Sequence, residues 1–132
     1  MKRMVLPLAV FAALTAQASA SSGFSCEAED KNVAKLVVAG ATPRSGGALI
    51  NFGAALEIES GKAIEFKQPD VKAFAWDAKG LKVRVTTRVN NENVEVIVDA
   101  RRSKTDEDQY LGGYSVRVGK LTKSGKLKCF VE

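Results

Sequence analysis

Beyond its first twenty residues the chain alternates apolar and polar positions with period two, broken at short intervals by turn residues. That pattern predicts half-buried β-strands and an all-β domain. In "LKVRVTTR" (Leu81 to Arg88), Leu81, Val83, Val85 and Thr87 fall on one face, and Lys82, Arg84, Thr86 and Arg88 on the other. "VEVIVDAR" (Val94 to Arg101) repeats the pattern with Val94, Val96, Val98 and Ala100. The intervening "NNEN" predicts a turn, so the two segments form a hairpin. Pairing Asn90 with Asn93 sets Arg88 against Glu95 and Arg84 against Asp99 on the solvent face, both favourable cross-strand pairs.

"YLGGYSVRV" (Tyr110 to Val118) aligns Tyr110, Gly112, Tyr114, Val116 and Val118 on one face. A turn at Ser124-Gly125 then leads into "KLKCFVE", with Leu127, Cys129 and Val131 inward. Earlier strands are predicted at Val33 to Ala39, Ala48 to Phe52, Leu56 to Ser60, Ala63 to Phe66 and Val71 to Trp76, the last with a short helix as its alternative. The expected fold is a single-domain antiparallel β-sandwich or small β-barrel of eight or nine strands. The pattern alone does not choose between them.

The first twenty residues break the alternation. Lys2 and Arg3 precede the apolar run "VLPLAVFAALTA", and Ala18-Ser19-Ala20 offers the small residues that a signal peptidase accepts. The run is too short to span a bilayer, which takes about 20 residues. Residues 1–20 therefore read as a cleaved signal peptide, leaving 21–132 as one all-β domain in the periplasm or secreted, with no transmembrane segment. Cys26 is preceded by Gly23, Phe24 and Ser25, and Phe24 is too bulky for a lipoprotein signal. Cys26 and Cys129, the two cysteines of the chain, then read as a disulfide between the terminal strands. Such a bond makes those strands neighbours.

Removal of Lys2 and Arg3 leaves 18 of the 20 basic residues against 15 acidic ones, a net charge of +3. That is a mildly basic surface and not a nucleic-acid-binding composition. The chain has no histidine, which excludes Ser-His-Asp and Cys-His nucleophilic sites and His-ligated zinc. "RSGG" (Arg44 to Gly47) lacks the rest of a phosphate-binding loop and reads as a turn. "TDED" (Thr105 to Asp108) lacks calcium-loop spacing and reads as a solvated acidic loop. No metal or cofactor is implied, and no catalytic residue is assigned. The one catalytic alternative rests on Glu57 and Glu65. A three-residue turn between their strands would oppose the two carboxylates directly, with Leu56 against Phe66 and Ile58 against Ile64. Opposed like charges are destabilising and would mark a functional pair, whereas a register shift would separate them.

Binding candidates lie near the C-terminus. Lys123, Lys126 and Lys128 are expected on one outer face around the Ser124-Gly125 turn, beside Leu121 and Phe130. They form either a cationic hairpin tip for an anionic surface or edge protection. Tyr110 and Tyr114 flank Gly112, and the gap between them takes either a ligand or a core neighbour.

Ser45-Gly46, on an exported β-domain closed by a disulfide, is similar to the Ser-Gly loop with which inhibitors of C-type lysozyme enter the enzyme's cleft. That resemblance covers two residues. A net positive domain has the wrong sign for gripping a cationic lysozyme, so the reading is not adopted. The expectation is an exported, non-catalytic binding protein of the bacterial cell envelope, its partner a protein or an anionic envelope component. The alternatives are an inhibitor or immunity protein that blocks an envelope enzyme, and a carboxylate-dependent hydrolase.

Overall fold

The computed structural model describes residues 21–43 and 48–132. The predicted signal peptide and the "RSGG" segment, with Ser45-Gly46, lie outside the described residues. Among the described residues nine strands form: β1 (Ser21–Ala28), β2 (Lys35–Pro43), β3 (Asn51–Glu57), β4 (Ala63–Lys67), β5 (Val71–Trp76), β6 (Gly80–Val89), β7 (Glu92–Arg102), β8 (Gln109–Val118) and β9 (Leu121–Val131). All pair antiparallel in one sheet of order β4-β3-β2-β1-β9-β8-β7-β6-β5. No helix among the described residues is long and apolar enough to cross a membrane.

The sheet is two meanders joined where the first strand meets the last. Strands β1 to β4 run one way and β5 to β9 the other. The β1–β9 pairing sets Cys26 opposite Cys129, and the two are bonded. The sheet curls so that its alternate side chains meet inside as one apolar cluster, from Phe24 and Leu36 on one arm to Val96 and Leu127 on the other. Each fully buried Val, Leu or Phe contributes about 1.5–3 kcal/mol relative to exposure. Phe24 of β1 stacks on Phe74 of β5 (centroids 6.0 Å apart) and meets Trp76 edge-on at 5.3 Å. These strands are not sheet neighbours, so the contact crosses the interior. The nearly closed barrel is the architecture adopted.

Three registers differ from the expected ones. Across the central hairpin Val89 pairs with Glu92, so Arg88 faces Asn93 and Arg84 faces Ile97. Asn90 and Asn91 alone make the turn, both at positive φ (53° and 64°). Asparagine tolerates that region, and a two-residue turn of this hand matches the strand twist. The inward valine rows are unchanged, because a slip of two residues keeps every side chain on its face. Arg84 reaches Glu95 diagonally instead, Nε to Oε2 at 2.7 Å.

The β8–β9 turn lies at Gly119-Lys120 and not at Ser124-Gly125. Gly119 adopts φ 57°, and β9 runs unbroken through Ser124 and Gly125. In the first half, the two strands expected at 48–52 and 56–60 are one, β3. A five-residue turn joins it to β4. Val71–Trp76 is a strand, preceded by a short 3-10 helix at Gln68–Asp70.

Candidate functional site

With Ser124 and Gly125 inside a strand, the lysine-rich hairpin tip does not form. Lys123 pairs with the buried Val116 and shares the inward parity of Leu127 and Cys129, so it leaves the group. Lys126 and Lys128 remain together on the outer face of β9, and Phe130 continues that row. The Lys128 ammonium lies 5.9 Å from the centre of the Phe130 ring, within the range of a cation–π contact.

The neighbouring strands complete this surface. One row across the sheet reads Arg101 (β7), Leu111 (β8), Lys128 (β9), Glu27 (β1), and the next reads Asp99, Gly113, Lys126. Phe130 and Leu111, 52 % and 45 % exposed, are diagonal neighbours across β8 and β9. Gly113 has no side chain, and beside it lies a cleft of about 470 Å³ between Leu111, Ile97, Asp99, Arg101 and Ser115. The result is an exposed aromatic-aliphatic pair bordered by Arg101, Lys126 and Lys128, with a cleft alongside. Sequence reading supplied Lys126, Lys128 and Phe130. It missed Leu111 and Arg101, which reach the surface only through the β7-β8-β9 register.

The tyrosines face the other way. Tyr110 and Tyr114 are 4 % and 3 % exposed. Tyr110 donates its hydroxyl to the Asp77 carbonyl at 2.8 Å, and Tyr114 donates to Asp30 Oδ1 at 2.6 Å. Where a side chain on Gly112 would sit, the Asp99 carbonyl and Ala100 of β7 already lie. Both rings are therefore interior, and the space between them is taken by β7. Asp30 also accepts from the Lys126 backbone N–H at 2.7 Å. The Tyr114 hydroxyl first, and that N–H second, hold its carboxyl below the usual carboxylate range. Burial first, and the Asp30 carboxylate second, push the Tyr114 phenol upward.

Glu57 and Glu65 are not opposed. Glu57 pairs with Ala63 and Glu65 with Ala55, while Leu56 meets Ile64 and Ala54 meets Phe66. The longer turn moves the register by two residues, and Glu57 Oε1 instead accepts the Gly61 N–H at 2.8 Å. The geometry on which a paired-carboxylate hydrolase depended is absent.

Compared with known protein families, with characterised proteins and with solved structures, the chain matches none.

Proposed function

We propose that this chain is an exported, non-catalytic binding protein of the bacterial cell envelope, and that it grips an acidic protein partner through the outer face of β7, β8, β9 and β1. The observation that carries the reading is the exposed Phe130–Leu111 pair bordered by Arg101, Lys126 and Lys128. Aromatic and arginine side chains are the usual energetic anchors of protein interfaces. An apolar centre bordered by three cations, with Glu27 and Asp99 at the ends of the two rows, favours a partner whose apolar knob is ringed mainly by carboxylates. Export is supported by the signal-like N-terminus and the Cys26–Cys129 bond.

The test starts with protein recovered from the periplasm of a bacterial host, where an intact mass corresponding to a start at Ser21 is expected. A retained N-terminus would overturn export. That protein then serves as bait in a periplasmic extract, alongside Phe130→Ser and a Lys126→Ser/Lys128→Ser variant. The expected result is one captured acidic protein, bound at least tenfold more weakly by Phe130→Ser. Binding by the wild type should also weaken with added salt, which screens exposed charges beyond about 8 Å at physiological ionic strength. Equal capture by all three proteins would overturn the assignment of this face. If the captured partner is an enzyme, its activity in the complex separates an inhibitor from a passive binder.

A further inference from the structure

A second candidate lies at the end of the barrel and shares no residue with the outer face. The tips of three hairpins meet there: the β3–β4 turn, the Asn90-Asn91 turn and the Gly119-Lys120 turn. Between them opens a bowl of about 610 Å³. Its walls are apolar: Ile58 and Ile64 come from one arm of the sheet, Val89, Val118 and Leu121 from the other, and the fully buried Val94 forms the floor. Val89 and Leu121 remain 36 % and 45 % exposed, and the mouth of a β-barrel is a common place for a ligand pocket. The polar lining residues carry both signs, Glu59 and Glu92 against Lys62, with Asn90 in the turn between strands β6 and β7.

The geometry points to a binding site for a single-chain zwitterionic amphiphile, of the lysophospholipid type. The apolar bowl takes the alkyl chain, and its volume is within the range of small-molecule sites, about 300–1,000 Å³. Lys62 faces the phosphate, and the Glu59 and Glu92 carboxylates face the ammonium. A purely anionic head would meet two carboxylates, and a purely cationic one would meet Lys62. The mixed polar lining therefore discriminates by charge pattern while the walls supply affinity.

The probe is dodecylphosphocholine below its critical micelle concentration, titrated into the mature protein and followed by backbone amide NMR shifts. Saturable shifts are expected at Val89, Asn90, Val118 and Leu121, with affinity at least tenfold above that for dodecanoate or dodecyltrimethylammonium. Phosphocholine without a chain should leave the spectrum unchanged. Leu121→Glu places a carboxylate on an exposed wall without touching the core, and should weaken binding at least tenfold with the amide spectrum otherwise folded. Phe130→Ser should bind as the wild type does, which separates this site from the outer face. Shifts that do not saturate, equal affinity for Leu121→Glu, or equal affinity for all three head groups would each overturn the proposal.

Discussion

Asp30 is a residue on which contacts from two strands far along the chain converge. It sits in the loop after β1 and reaches both β8, through the Tyr114 hydroxyl, and β9, through the Lys126 N–H. A side chain at Gly125 would occupy the space of the Asp30 carboxylate, so the glycine read from sequence as a turn residue is there to admit this loop. The contact has a pH signature. Asp30 ionises more readily folded than unfolded, so its stabilisation is complete above about pH 4 and is lost as the pH falls through the lower folded value. Tyr114 ionises less readily folded than unfolded, so its stabilisation holds below about pH 10 and is lost as the pH rises beyond it. Tyr114→Phe should therefore flatten both flanks of a plot of urea midpoint against pH. Gly125→Ala should lower the midpoint throughout the intervening range. Flanks as steep in Tyr114→Phe as in wild type would show that other groups set the pH limits.

At the scale of elements, faces were easier to read than turns. The inward rows of β6, β7 and β8 were legible because alternation records which side of a strand meets the core, and a two-residue slip leaves that record intact. Registers and turns were not legible, because polar residues compete for them locally. "NNEN" reads equally as a four-residue turn or as a two-residue turn followed by a strand. Only the positive φ of Asn90 and Asn91 separates the two. The candidate surface suffered the same way: Lys126, Lys128 and Phe130 were visible along one strand, while Leu111 and Arg101 needed the register of three. These two positive-φ residues decide the hairpin, and they make a test. Asn91→Val should cost about 1–2 kcal/mol, the cost of a left-handed conformation in an ordinary L-residue. Asn91→Gly should stay within about 0.5 kcal/mol of wild type. Chemical denaturation of both variants measures the difference, and equal stabilities would return Asn91 to an unconstrained loop.

For the whole molecule, the decisive feature is that two sequential meanders must be closed against each other. Within each arm, hairpins bring neighbouring strands together across short turns. Between the arms, closure of the sheet depends on β1 finding β9, a pairing that bridges a sequence separation of 103 residues at the disulfide. No periodicity along the chain encodes that event, which is why alternation left barrel and sandwich undecided. The terminal cysteines mark β1 and β9 as neighbours, which a barrel and a sandwich both satisfy, and their bond holds the two strands together. A closed loop of about 100 residues removes denatured-state entropy worth up to about 4.7 kcal/mol in the chain-entropy account, with native disulfides of small secreted domains measured at about 2–5 kcal/mol. The Cys26→Ser/Cys129→Ser variant should accordingly lose about 2–5 kcal/mol, read as a lower urea midpoint. The interior contact of Phe24 with Phe74 and Trp76 closes the same two arms by packing, and Phe24 lies two residues from Cys26. Phe24→Ala alone should cost about 3–5 kcal/mol. Because both changes release the same closure, their combined cost should differ from the sum by more than the roughly 0.5 kcal/mol expected of independent sites. Additivity within that margin would mean that bond and aromatic cluster stabilise separate parts of the barrel.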